Sequence, residues 1–141
     1  AGPSRVRDTP ASMNPIVAVA RRHVGRLLPP PPDGVSPGVD FICLCLGRPS
    51  RLKHCRTRCE LFRALHSKMW FNLSTDSSWI PGAGDLVFCT ANERMITAAG
   101  FVERIDLGAG VLWMIGADEE GRVDRRGYRL EDPQIVAFAR I

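Results

Sequence analysis

Pro81-Gly82-Ala83-Gly84-Asp85-Leu86-Val87-Phe88 is the stretch at which the chain changes its periodicity. A glycine-rich turn feeds directly into the apolar residues Leu86, Val87, Phe88 and Cys89, which is the pattern of a turn opening a buried strand. Downstream, residues 99–106, 110–115 and 134–140 read as further strands. The turns Leu107-Gly108-Ala109-Gly110 and Asp118-Glu119-Glu120-Gly121 fold this half into a meander. Upstream the period is helical. Asn14 is placed to cap, Pro15 stands at the first helical position, and Ile16, Val19, Ala20 and His23/Val24 recur at three and four residues. This predicts a helix over about 15–24 that Gly25 ends. The four prolines at 29–32, with Asp33-Gly34 and Ser36-Pro37-Gly38, make a stiff loop. Residues 39–46 are an apolar run around Asp40, compatible with a buried helix or a central strand. Residues 59–70 read as a helix with Leu61, Phe62, Leu65 and Met69 on one side, and 72–78 as a polar loop. Helices first and strands last describe an α+β domain, with an antiparallel sheet of four to six strands between Leu86 and Arg140.

The 141 residues, 45% hydrophobic and 24% charged, suit one globular core and exclude a disordered or fibrous chain. Residues 1–12 lack periodicity and are set apart as a tail, Met13 being a candidate start, which leaves 13–141 as a single domain. No run approaches the length of a membrane span, and residues 1–10 lack the apolar stretch of a signal peptide.

The charge is divided by position. Residues 1–70 hold 12 Lys/Arg against 4 Asp/Glu, and residues 71–141 hold 7 against 11, giving +8 and −4. Arg48, Arg51, Lys53, Arg56, Arg58, Arg63 and Lys68 crowd together with only Glu60 opposing them. Self-repulsion disfavours such a segment unless it is solvated or faces an acidic partner. It is therefore expected to dock a protein partner or an anionic polymer through Arg48, Arg51, Lys53, Arg56 and Arg58, a purely solvated face being the alternative. Nucleic acid is the less favoured partner, because no reading element accompanies the charge.

Five cysteines cannot all pair internally. Cys43, Cys45, Cys55 and Cys59, with His54 among them, form C-x-C-x8-H-C-x3-C. Thiolates and imidazole converging on a tetrahedral point could hold zinc or an iron–sulfur cluster. The spacing departs from paired C-x2-C knuckles, however, and C-x-C sets its side chains on opposite faces of a strand or about 200° apart on a helix. Buried reduced thiols are the alternative, and no cofactor is expected on that reading.

The order helix, proline/glycine loop, buried segment, helix, then Pro-Gly-x-Gly-Asp-Leu-Val-Phe and an antiparallel sheet resembles the NlpC-type and CHAP-type papain-like peptidases of bacterial cell walls. The resemblance covers 14–141. Residues 81–88 look like the family's P-G-D-L-V-F strand with Ala-Gly inserted, and Ala98-Ala99-Gly100-Phe101-Val102 looks like H-x-G-I-V. The segment from Gly127-Tyr128-Arg129-Leu130 to Arg140 looks like the last strand of CHAP domains. Val39-Asp40 falls where the family has D-C-S-G. The resemblance implies a papain-like fold and hydrolysis of peptidoglycan peptide bonds by a cysteine at a helix N-terminus, a histidine on the facing strand and a third polar residue. This chain departs from the pattern at all three positions, which Phe41, Ala98 and Ile115 occupy, and Trp113 and Met114 offer no substitute.

The resemblance thus implies the fold without the catalyst, its former site filled by apolar side chains. It suggests a structural or binding module in a cell envelope or virion, similar in size to the small NlpC-type proteins that accompany phage tail tips and gene transfer agents. Two alternatives remain. One is an active cysteine peptidoglycan endopeptidase or amidase using Cys59 or Cys43, with no histidine on the strand after Phe88 to serve as base. His66, seven residues beyond Cys59 on the expected helix, would lie about 10 Å along the axis. The other is an interaction domain stapled by metal through Cys43, Cys45, His54, Cys55 or Cys59.

Overall fold

The computed structural model describes residues 14–70, 81–91 and 95–141. The expected tail at 1–12, Met13 and the polar loop at 72–78 lie outside them. Three α-helices precede the main strands: α1 (Pro15–His23), α2 (Pro37–Cys45) and α3 (Arg58–Ala64). The strands are β1 (Met69–Trp70), β2 (Leu86–Cys89), β3 (Ala98–Asp106), β4 (Val111–Ala117), β5 (Val123–Arg129) and β6 (Ile135–Ala139). They form one antiparallel sheet in the order β1-β6-β2-β3-β4-β5. The architecture is the expected α+β class.

The N-terminus of α1 forms as anticipated. The Asn14 side chain accepts the Ile16 and Val17 amides at 3.0 Å each, and its Nδ2 donates to the Ala83 carbonyl at 3.0 Å. One residue thus starts the first helix and pins it to the turn before β2. Gly84 in that turn has φ +90° and lies so close to Asn14 that a Cβ would meet Nδ2 at 2.6 Å. The motif's Asp85 accepts the Gly82 amide at 2.8 Å and Arg140 Nε and Nη2 at 3.1 and 2.9 Å. This aspartate closes the turn and ties β6 to β2.

The ambiguous run 39–46 lies in α2. Pro37 at its first turn sets φ for helix entry, and Val39, Phe41, Ile42, Cys43 and Cys45 are all buried. A helix covered nearly all round has no polar face to reveal its period. The expected helix over 59–70 is shorter. A Thr57/Glu60 capping box starts α3, which stops at Ala64 and gives way to a 3-10 turn, His66–Lys68. Met69 and Trp70 then pair with Ala139 and Phe138, so Met69 belongs to the sheet edge and His66 lies outside the helix that holds Cys59. Strand β5 (VDRRGYR), absent from the expected set, pairs with β4 along its whole length. Its charge suits an edge strand, where polar side chains face water.

Strand alternation builds two apolar clusters. Leu86, Phe88, Ala99, Phe101 and Ile115 pack with Val39, Phe41, Ile42 and Leu61 on the helical side. Val87, Cys89, Val102, Leu112, Met114 and Phe138 form the other. A bulge between Val102 and Arg104 frees Glu103, 2% exposed, to bind Arg21 of α1 and Arg125 of β5.

Candidate functional site

The first turn of α2 abuts the end of β4. A Cβ placed on Gly38 would lie 3.3 Å from the Ala117 carbonyl oxygen and 3.8 Å from Arg58 Nη1. Ser36, at the N-cap, makes no side-chain bond to the helix. Its Oγ accepts Arg58 Nη1 at 3.4 Å. The same guanidinium donates through Nε to the Ile96 carbonyl at 3.3 Å and through Nη2 to Glu119 Oε1 at 2.8 Å. One side chain therefore joins the entry to α2, the approach to β3 and the β4–β5 turn. Beside it lies a cleft of about 110 Å³ walled by Thr97, Ala98, Ala99, Gly116 and Ala117.

The electrostatics of this spot are unusual for a helix entrance. The N-terminal end of a helix carries partial positive charge and attracts anions. Here a cation stands beside it, and the side chain of Arg58 is only 17% exposed whereas that of Glu119 is 82% exposed. Glu119 supplies the compensating charge. A guanidinium stays protonated at any ordinary pH, so it can hold a carboxylate but cannot exchange protons.

The apolar residues at the family positions are divided between the two clusters. Phe41 is the fifth residue of α2, one turn inside its entrance, and stacks edge-on against Phe101 at 6.2 Å and His23 at 6.0 Å. Ile115 shares its cluster. Ala98 packs against the opposite cluster, which contains Met114. Trp113 lies under Arg104 at 5.5 Å and against Gly127. The reason is the two-residue period of a strand: positions 98 and 114 face away from 99, 101 and 115. The residue at the helix entrance is Ser36, and Arg58 lies beside it.

The thiols are all free. Burial pushes Cys45 and Cys89 up to about 12, a hydrogen bond from Tyr128 only partly offsetting this at Cys89. Cys43, a fallback nucleophile, is raised by burial and then by Cys55, with Arg48 pulling the other way, the reverse of thiolate activation. Burial and Glu60 likewise raise Cys55. Cys59 is half-buried at the second residue of α3, and its thiol makes no hydrogen bond among the described residues. Cys43 and Cys45 both sit on α2, and among the described residues no three His, Cys, Asp or Glu side chains gather to hold a metal ion. His54 is exposed.

The basic segment divides into two kinds of residue. Arg48 bonds Asp40 at 2.9 Å and Arg58 is committed as described, whereas Arg51, Lys53, Arg56, Arg63 and Lys68 are exposed and form no salt bridge among the described residues. The partners of Arg58 lie within the chain. Among the described residues no helix is long and apolar enough to cross a membrane. No protein-family model and no curated protein sequence matches the chain.

Proposed function

We propose that this chain is a catalytically degenerate member of the papain-like cell-wall peptidases, a pseudoenzyme serving as a structural or binding module of a cell envelope or a phage-tail-type assembly. Its partner is a protein or wall polymer. The observation that supports this reading is Arg58. The reaction needs a thiol at the helix entrance and an imidazole across from it. At the α2 entrance a serine faces a guanidinium, and the cleft beside it is lined by Thr97 and by Ala98 and Ala99 at the start of β3. The guanidinium that stands there cannot itself take a proton from a nucleophile and return it to a leaving amine.

Incubating the purified protein with peptidoglycan sacculi tests this. The expected result is no release of soluble muropeptides, with no cysteine alkylating near pH 6 far faster than the others. Release of muropeptides that is lost in a Cys59→Ala or Cys43→Ala variant would replace the proposal with an active cysteine hydrolase.

A further inference from the structure

The basic segment borders a second cavity. It measures about 210 Å³ and is walled by Val35, Val39, Pro49 and Leu52, with the thiols of Cys43 and Cys55 in its lining. That is below the roughly 300–1,000 Å³ of ordinary small-molecule sites, and is a size for one or two side chains. The proline loop and the Ser50–Leu52 turn form stiff walls, and the N–H of Ser36 donates to the Arg56 carbonyl at 2.7 Å, holding the two segments together. The rim is cationic. Lys53 and Arg48 stand on it, and Asp40, its acid, is bound to Arg48 at 2.9 Å. Exposed Arg51 precedes Leu52, and Arg56 lies against the loop, its Nη1 3.8 Å from where a Cβ on Gly34 would be.

We infer that this cavity and its rim are a docking site for an acidic peptide segment of a protein partner, anchored by one apolar side chain. An apolar floor needs an apolar occupant, which a phosphate backbone or a glycan does not provide. The rim cations Arg51, Lys53 and Arg56, which form no salt bridge among the described residues, call for carboxylates on either side of that anchor. Interfaces built this way place most of their binding energy in the buried anchor and use the charged rim for steering and selectivity. The inference does not rest on the peptidase resemblance, and the sacculus assay has no bearing on it.

The test is selection of random twelve-residue peptides displayed on phage against the immobilised full chain, with recovered peptides synthesised for fluorescence anisotropy. Recovered sequences are expected to converge on an apolar residue flanked by Asp or Glu. Replacing the anchor by Ser should weaken binding by at least about tenfold. Binding should weaken similarly in an Arg51→Glu/Lys53→Glu variant that keeps the wild-type Tm, and should fall as salt rises from roughly 0.1 to 1 M. Bound peptide should slow alkylation of Cys55. Failure to enrich any sequence, enrichment without acids, indifference to the charge reversal, or an unchanged Cys55 rate would each overturn it. A single-stranded oligonucleotide that outcompetes every recovered peptide and leaves Cys55 unprotected would replace it with a polyanion surface.

Discussion

Replacing Glu103 by Gln should cost more stability than any other single carboxylate-to-amide change on the helical side of the sheet. Its carboxylate is 2% exposed and accepts Arg21 Nε at 2.6 Å, Arg125 Nε at 2.6 Å and Arg125 Nη2 at 2.9 Å. It therefore fastens α1 to β3 and reaches across β4 to β5. Removing one partner of a buried pair costs about 3–5 kcal/mol, most of it the penalty on the charges left behind. The arginines here are 34% and 43% exposed and can rehydrate, which places the expected loss near the lower bound, about 3 kcal/mol. For a domain of this size that lowers Tm by about 10 °C at pH 7. Acid provides a second reading. Burial pushes the Glu103 carboxyl up, but the hydrogen bonds and charges of Arg125 and Arg21 together outweigh it and hold the group below its ordinary value. A folded-state value below the unfolded one means the contribution is complete above about pH 4.3 and is lost as pH falls through the folded value. The wild type should accordingly lose Tm faster than Glu103→Gln below about pH 4, and the two should converge. A variant within about 2 °C of wild type at pH 7, or a gap that persists unchanged in acid, would refute the reasoning.

Arg58→Met should lower Tm by several degrees, because it removes hydrogen bonds to Ser36, Ile96 and Glu119 together, whereas Glu119→Ala, at a side chain 82% exposed, should change stability by less than about 1 kcal/mol; thermal melts distinguish a tie among three segments from a surface pair. Alkylation at pH 8 followed by mass spectrometry should modify Cys55 and Cys59 before Cys45 and Cys89, whose thiols are buried and raised to about 12, the latter two reacting only on unfolding. Gly100→Ala should destabilise by about 1–3 kcal/mol, since its Cβ would meet the Ile115 carbonyl oxygen at 2.5 Å and Met114 Cγ at 2.8 Å, with the backbone atom unable to yield; a chemical-denaturation midpoint equal to wild type would show that β3 and β4 separate more readily than their pairing suggests.

The elements legible in the sequence are those whose local chemistry agrees with their surroundings. Asn14-Pro15 marks α1 because a cap and an N1 proline act within a few residues of themselves. Leu86 to Cys89 is legible because the turn before it is built from glycine and a buried aspartate. Periodicity is silent on α2, since burial on nearly every side removes the polar face, and it misleads for β5, where an edge position permits charge at almost every residue. The site was harder to read than the fold. Thr57 and Glu60 could have located the start of α3, and with it Arg58 in the first turn, by their capping-box spacing. Nothing local, however, could disclose partners as far along the chain as Ile96 and Glu119, and the face on which Ala98 lies depends on a register that only strand pairing determines.

The division of charge between the two halves acquires a structural meaning from these contacts. Arg21 pairs with Glu103 and Arg58 with Glu119, in each case a cation from the helical half meeting an acid from the sheet half. Part of the polarity seen along the chain is therefore consumed in docking helices onto the sheet. Such pairing acts between segments distant in sequence, where opposite charge disfavours alternative arrangements more effectively than it adds stability. The cations outside this arrangement, Arg51, Lys53, Arg56, Arg63 and Lys68, remain exposed. The distinction between the two sets decides how charge reversal should be interpreted. Reversal at Arg58 disturbs the fold and would mimic loss of a partner, whereas reversal at Arg51 and Lys53 alters only the rim of the cavity beside them, so only the second experiment reports on binding.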